Sequence, residues 1–578
     1  MIFPAKTNFC VIFNPLAPLS FIPTGPEVTL HPTKTLKTMK HYLETFRDVV
    51  LRKWELSALT DYKGKSFTYE DVASGIEKLH LAYEAIGLRP GDKVALCGRN
   101  CSRWAMAFLA NGLYRAVSVP ILYDFTPEAV TRLVDHSDSI VLFTDSQTWS
   151  RMTVPESGNL RAVVSLDDYR CIWSSDDAAK QAFDTADEAF WAKHPFGLRR
   201  TDIDYDFSSQ SDLAVINYTS GTTGEPKGVM LPVRSLSANV AYGLANVPVH
   251  DDDCSLSMLP MAHMFGLAFE FLYAFCGGSH VYFLGRTPSP STLLAAFAEV
   301  KPYILVTVPL VMEKLVKSKV LPVLQKPSVK FLTSIPGVRR IIYNKMHTKL
   351  MEAFGGNIRE IPMGGAALNP AVEDALRKLR VPYTVGYGMT ECGPLVSYIS
   401  HEKFRKGSCG AQLGGFSEVR IDSDDPRHVT GEVQVKGDNV MLGYYKNEAA
   451  TKAAFTEDGW LRTGDLGLLG RDGSIYLKGR SKCMILSSNG QNIYPEEIEA
   501  VFNSQPEVEE SLVISNNGKL VALLALAQEC DKSIIDALKE RVNKLLPSYS
   551  RIASCQVMTE PFVHTPKHSI KRALYADM

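Results

Sequence analysis

Short apolar runs separated by longer amphipathic stretches constrain this chain more than any other feature. From about residue 66 to 145 the order is SFTYEDVASGIEKLHLAYEAIGL, the apolar VALC, WAMAFLANGLYRA and SIVLFTD. Apolar runs of this kind between helix-period segments are the pattern of buried parallel strands joined by crossover helices. The alternation resumes at DLAVINY (212–218), KPYILVTVPL (301–310), REIPMGG (359–365) and PYTVGYG (382–388). Asn369-Pro370 supplies an N-cap followed by proline at the first helical position, and Arg377, Lys378 and Arg380 crowd the far end, so 369–380 reads as a short capped helix. Residues 410–480 are richer in glycine and in short β runs (EVRI, GEVQVKG, SIYLKG), with turns expected at Asp438-Asn439 and Asp472-Gly473. Beyond Arg480 a helix at PEEIEAVFN, paired strands near SLVIS and KLVALLALA, and a helix at KSIIDALKERVNKLL make a small α+β unit.

With 578 residues the chain exceeds a single compact unit and fits one large multi-part body plus a smaller domain. The expected class is α/β: a large N-terminal body of several subdomains, layered α/β plus a β-rich part, then the small α+β C-terminal domain. Met39 opens MKHYLETFRDVV, the first amphipathic helix, so residues 1–38 read either as a disordered extension or as a misassigned start. The apolar stretch Phe9 to Phe21 is broken by Asn14, Pro15 and Pro18, which suits neither a signal peptide nor a spanning helix.

Charge narrows the function. Lys and Arg (62) balance Asp and Glu (63), leaving no basic excess for a nucleic-acid backbone. The eleven cysteines are scattered; the closest pair, Cys97 and Cys101, matches neither a redox motif nor a zinc-ligand pair, and a reducing compartment fits best.

Chemistry concentrates in the segment Tyr218, Thr219, Ser220, Gly221, Thr222, Thr223, Gly224, Glu225, Pro226, Lys227 and Gly228, directly after an apolar strand. Glycines let backbone N–H groups turn inward, hydroxyls donate to phosphate oxygens and Lys227 adds a cation, a combination suited to a polyphosphate. A solvated Ser/Thr/Gly turn would have a similar composition. The spacing excludes a Walker loop, because only Glu225 and Pro226 separate Gly224 from Lys227 and Gly228 stands where that loop needs a hydroxyl.

YTSGTTGEPKGVML resembles the signature of the acyl-adenylate-forming superfamily, which includes acyl-CoA synthetases, peptide-synthetase adenylation domains and luciferases. Further motifs of that superfamily follow in order: LPMAHMFG (259–266), GGAAL (364–368), YGMTECGP (387–394), GWLRTGDLG (459–467) and KGRSKCMILSSNGQNIYPEEIE (478–499). The resemblance spans roughly residues 60 to 578, and TVPLVMEKL with the 478–499 segment is most similar to bacterial long-chain fatty acid–CoA ligases.

The resemblance implies roles residue by residue. The loop Thr219 to Gly224 and Lys227 would hold the ATP phosphates, and Gly365, Ala366 and Ala367 would line the adenine pocket. Tyr387 would stack on adenine, with Gly388 and Met389 beside it and Thr390 near the α-phosphate. Glu391 would carry Mg2+, with Thr219 close to the metal; oxygen ligands suit that ion. Asp465 would accept from the ribose hydroxyls and Arg480 would reach the same sugar. His263 and Phe265 would wall the acyl pocket. Taken singly, Tyr387 is also an ordinary core aromatic, Asp465 an ordinary turn residue and His263 a structural histidine. The implied domains are an AMP-binding body over 39–480 and a mobile C-terminal domain over 483–578, rotating about a hinge at Lys482. Gly490, Gln491 and Asn492 resemble the loop turned toward the thioester site.

Two departures stand out. The superfamily's C-terminal pattern ends in a lysine that bridges carboxylate and α-phosphate, but Thr565-Pro566-Lys567-His568-Ser569-Ile570-Lys571-Arg572 puts Ser569 there. Serine carries no cation, so Lys567 or Lys571 is expected to substitute. Val233 stands where a histidine commonly follows the phosphate loop. Peptide-synthetase domains pair a substrate ammonium with an acid, and MAHMFGLAF has none before Glu270, which argues for a substrate without an amino group.

The expected activity is ATP- and Mg2+-dependent conversion of a long-chain fatty acid to an acyl-AMP and then, with coenzyme A, to acyl-CoA. The alternatives are an aryl or medium-chain acid–CoA ligase, a carrier-protein ligase, and a catalytically silent relative. A cytoplasmic location with transient membrane-surface contact is expected, although no anchoring helix with a strong basic face stands out.

Overall fold

A computed structural model describes residues 39–578 apart from 157, 220–225, 287–288, 487–491, 517–518, 528–530, 548–549, 565–569 and 577; for Leu486, Asn492 and Lys532 it describes the backbone alone. The expected extension, residues 1–38, lies outside the described residues.

The apolar runs form the centre of an eight-stranded sheet. Its order is Gly443–Tyr444, Lys227–Pro232, Leu213–Thr219, Val117–Ile121, Lys93–Cys97, Ser139–Thr144, Ala162–Ser165 and Cys171–Ser174. The five strands from Leu213–Thr219 to Ala162–Ser165 run parallel, and the remaining three are antiparallel to their neighbours. Crossover helices Ser102–Leu113 and Pro127–His136 return the chain between parallel strands. Helix Tyr69–Ala85 begins where Thr68 and Asp71 close a capping box: the Asp71 N–H donates to Thr68 Oγ1 at 3.1 Å and the Thr68 N–H to Asp71 Oδ2 at 2.8 Å. Its buried face, Val72, Ala73, Ile76, Leu79 and Tyr83, joins Trp104 and Phe108 in one large core.

A second sheet orders Cys254–Ser257, His280–Phe283, Ser57–Asp61 and Ser66–Thr68. Strands Ile361–Met363 and Tyr383–Val385 pair in parallel around the capped helix Pro370–Lys378, whose Asn369 Oδ1 accepts from the Ala371 N–H at 2.9 Å. The run 301–310, expected as a full strand, makes only isolated bridges at Ile304 and Thr307 before Pro309 opens a helix. Pro362 opposite has no N–H to donate, so a continuous ladder cannot form along that edge.

The 410–480 region is an antiparallel sheet of Ser417–Asp422, Gly431–Gly437, Leu461–Leu469 and Ile475–Arg480, interrupted by a helix Glu448–Ala454. The turn expected at Asp472-Gly473 joins its last two strands, with Gly473 at φ +78°. After Arg480, helices Pro495–Asn503 and Lys532–Asn543 pack on strands Val508–Asn516, Lys519–Leu526 and Ser554–Val557 around a separate core of Ile498, Phe502, Val513, Leu524, Leu538 and Val542. The described cysteines are free thiols, and burial pushes the Cys97 thiol up to about 12, which suits a packing residue rather than a nucleophile.

Candidate active site

The site gathers where the parallel strand Leu213–Thr219 ends. Its hairpin partner Lys227–Pro232 returns so that Thr219 and Lys227 are the last facing pair, flanking the glycine-rich loop. Ser220, Gly221, Thr222, Thr223 and Gly224 lie outside the described residues. Gly228 leaves room for a neighbour: a Cβ there would stand 3.2 Å from a ring carbon of Tyr218.

A residue that motif reading missed completes this end of the site. Tyr444, in the two-residue strand Gly443–Tyr444, pairs with Val229 at the edge of the central sheet. The Lys227 ammonium lies over its ring, 4.9 Å from the centroid, and its hydroxyl donates to Glu391 Oε1 at 2.9 Å. Burial, then the adjacent Glu391 charge, raises the Tyr444 phenol above its usual range, so it remains a donor. The only local signal was an aromatic pair, Tyr444-Tyr445, in a β-rich stretch. Tyr445 anchors the same strand, its N–H donating to the Gly228 carbonyl at 2.7 Å and its hydroxyl to Asp138 at 2.7 Å.

A second cluster lies on the strand Tyr387–Gly388 and the sheet beside it. The Tyr387 hydroxyl donates to Asp465 Oδ2 at 2.5 Å, and Arg480 Nε lies 2.8 Å from Asp465 Oδ1. Asp465 and Arg480 face each other across adjacent antiparallel strands, which fixes their approach. Asp465 is 6% exposed, and this burial raises its carboxyl above the ordinary range while Arg480 opposes the rise. Gly388 permits the turn: a Cβ there would be 2.4 Å from the Pro394 carbonyl oxygen. Thr390 is buried in a short turn Thr390–Cys392, while Met389 and Glu391 are half-buried, so Glu391 remains accessible.

The GGAAL turn adds an exposed rim. Gly365 has φ +90°, and Gly365, Ala366 and Ala367 are exposed. Phe265 packs against it, with its Cζ 3.3 Å from where a Gly364 Cβ would stand. His263 Nδ1 accepts from the Phe265 N–H at 3.3 Å, and Asn217 of the strand Leu213–Thr219 donates to the Ala262 carbonyl at 2.8 Å, tying this loop to the phosphate-loop strand. Glu270 lies within a π-helical turn, Gly266–Leu272. Its Oε2 accepts from the N–H groups of Met258 and Leu259 at 2.9 and 2.8 Å. It is 2% exposed, and burial pushes its carboxyl well up. Glu270 is thus committed to holding the 258–262 loop.

Lys482 is exposed in the turn Ser481–Cys483 directly after Arg480. Gly490, Gln491, Lys567 and Ser569 lie outside the described residues, and Asn492 is seen only as backbone in a two-residue strand. Lys571 is exposed, its N–H donating to the Val563 carbonyl at 2.8 Å, whereas Arg572 is held by Glu499. Val233 is buried at the start of helix Val233–Asn246, so it serves packing.

The chemistry of the donors fits a magnesium ion: the accessible Glu391 carboxylate is an oxygen ligand of the kind that ion takes, and Thr219 supplies a hydroxyl on the strand that faces Lys227. Among the described residues no group of three His, Cys, Asp or Glu side chains converges.

The family described as AMP-binding enzyme matches residues 46–445, and the AMP-binding enzyme C-terminal domain matches 483–578. The chain is 27% identical over 530 residues to the long-chain-fatty-acid–CoA ligase 4 of Saccharomyces cerevisiae, covering 85% of this chain and 76% of that protein. It is 26% identical over 509 residues to the 4-coumarate–CoA ligase 3 of Oryza sativa subsp. japonica, covering 85% and 83%. Among solved structures, the o-succinylbenzoate CoA synthetase of Bacillus subtilis with its acyl-adenylate superposes with a TM-score of 0.70 at 23% identity, covering 92% of this chain and 98% of that one. An anthranilate CoA ligase with anthranoyl-AMP gives 0.75 at 19% identity, covering 93% and 97%. These likenesses establish the adenylate-forming fold, a large α/β body followed by a smaller C-terminal domain. The chain belongs to the AMP-binding enzyme family, with the regions of both its large and its C-terminal domain present.

Proposed function

We propose that the protein is an AMP-forming acid–CoA ligase whose preferred acid is a long-chain fatty acid. The observation that carries the reading is the convergence of Lys227 and Glu391 on Tyr444 at the mouth of the glycine-rich loop, with Thr219 facing Lys227 across the hairpin end. Lys227 and the loop hydroxyls would hold the β- and γ-phosphates and so steady the leaving pyrophosphate. Tyr444 orients both the cation and the carboxylate, which reduces the reorganisation needed when charge develops. Glu391 would hold a magnesium ion, which would supply positive charge to neutralise the phosphates. Asp465, with Arg480 on one oxygen, would accept the ribose hydroxyls through remaining lone pairs, and Tyr387 would present its ring to adenine while its hydroxyl stays on Asp465. The carboxylate substrate would attack the α-phosphorus in line, assisted by Lys567 or Lys571. The C-terminal domain, turning about Lys482, would then open the adenylate to the thiol of coenzyme A.

Two features favour a plain carboxylic acid. Glu270, the first acid after His263, is buried and occupied by backbone N–H groups, leaving it ill-suited to a substrate ammonium. Relatives of similar identity are named as long-chain acyl–CoA and 4-coumarate–CoA ligases, which keeps aryl acids as the second reading. The test is AMP release from palmitate, octanoate, 4-coumarate and o-succinylbenzoate, with and without coenzyme A. The expected outcome is CoA-dependent AMP with palmitate foremost. A preference for 4-coumarate would transfer the assignment to aryl acids, and no AMP from any acid would refute the ligase reading.

A further inference from the structure

The segment from Lys314 to Met351 contains nine lysines and arginines and no aspartate or glutamate, in a chain of net charge -1. It folds into successive short helices ending in Pro327–Ser334 and Pro336–Ala353. An ordinary surface helix buries an apolar stripe, but Pro327–Ser334 buries no residue and Pro336–Ala353 buries only Leu350. Phe331 (70% exposed), Leu332, Ile335 and Ile341 (69%) instead face solvent. Interleaved with them are Lys326, Lys330, Arg339 and Arg340, all exposed. Of the nine cations only Lys317 has an ion pair among the described residues, with Glu313.

Exposed apolar side chains beside unpaired cations have a physical cost unless a partner covers them, and the pattern narrows that partner. Nucleic acid would use the cations but gains little from isoleucine and leucine. A second copy would bring the same positive face against itself. Residues 1–38 carry Lys6, Lys34 and Lys37 against Glu27, so their charge does not complement the arm. We propose that the helical arm 326–345 docks on an anionic lipid surface, with Phe331, Leu332, Ile335 and Ile341 entering the headgroup boundary and the four cations meeting lipid phosphates. The arm supplies the basic face that sequence reading did not recognise, because its cations are spread over several short helices rather than one long amphipathic one. Lipid binding needs neither ATP, acid nor coenzyme A, so this inference and the ligase reading fail independently.

The test is sedimentation of the full chain with vesicles of phosphatidylcholine alone or mixed equally with phosphatidylglycerol. Binding at least about tenfold tighter to the anionic vesicles, weakened by salt, is expected. Changing Lys326, Lys330, Arg339 and Arg340 to Glu should remove about tenfold or more of that affinity. Phe331→Ser with Ile341→Ser should weaken it comparably, with circular dichroism and pyrophosphate exchange unchanged. A Phe331→Trp variant should shift its emission to the blue on anionic vesicles alone. Equal binding to both vesicle types, no binding to either, or binding indifferent to these substitutions overturns the proposal. A dimer dissociated by Ile341→Ser would assign the face to a second copy, and capture of an acidic peptide in place of vesicles would assign it to a protein.

Discussion

In the candidate active site charges are engaged: Lys227 on the Tyr444 ring, Glu391 on the Tyr444 hydroxyl, Asp465 between Tyr387 and Arg480. In the arm 326–345, Lys326, Lys330, Arg339 and Arg340 have no ion pair among the described residues and apolar side chains stand in water. A hydrogen bond to a charged group contributes about 1.5–3 kcal/mol and a cation–π contact about 0.5–2 kcal/mol, so the cleft is held in one arrangement before substrate arrives. The arm has no such internal network. The contrast teaches that preorganisation and docking call for opposite treatments of charge: partners inside the protein for the first, partners outside it for the second.

That contrast can be broken most directly at Lys227. Lys227→Ala should lower carboxylate-dependent pyrophosphate exchange by roughly 10²–10³, the scale of one preorganised transition-state donor. A change below threefold, about 0.7 kcal/mol in activation free energy, would mean that Lys227 does not stabilise the transition state. Lys567→Ala and Lys571→Ala, made separately, sharpen it at the other side of the reaction. One of them should cost a comparable factor in the same assay, and if both are silent neither lysine replaces the cation missing at Ser569. Tyr444→Phe keeps the ring under Lys227 but deletes the hydroxyl on Glu391. The apparent KM for Mg-ATP should rise about tenfold, as expected for losing a bond to a charged group; an unchanged value would reduce Tyr444 to a packing residue.

Glu270 tests a different kind of commitment. Its folded-state carboxyl sits above the ordinary 4.5 because burial opposes its charge. Between 4.5 and that raised value the folded protein holds more protons than the unfolded chain, so this group's contribution to stability falls as pH rises through the window, by at most about 1.4 kcal/mol per pH unit. Glu270→Gln should flatten the pH dependence of urea unfolding relative to the unsubstituted protein. Parallel curves would show that Glu270 stays ionised in the fold. The smallest effect belongs to the arm: changing Lys326, Lys330, Arg339 and Arg340 to Glu should leave pyrophosphate exchange within about twofold, as for exposed surface positions. A larger loss would mean that arm and cleft are coupled.

Much of the architecture is readable in the chain itself. The apolar runs at 94–97, 139–144 and 213–219 became parallel strands because a buried strand needs unbroken apolar character, and Asn369-Pro370 started its helix because capping is local chemistry. The motif residues Thr219, Lys227, Glu391, Tyr387, Asp465 and Arg480 were also visible, since each lies in a short recognisable stretch. Tertiary structure decided which of them meet. Tyr387 reaches Asp465 across 78 positions, and Tyr444 reaches Glu391 across 53. It likewise limited the run 301–310 to isolated bridges, through a proline on a neighbouring strand, and left Phe331, Leu332, Ile335 and Ile341 of the 326–345 arm exposed. Periodicity and capping act over a few residues and are written in order along the chain, whereas a side chain's partner depends on how distant strands are laid side by side.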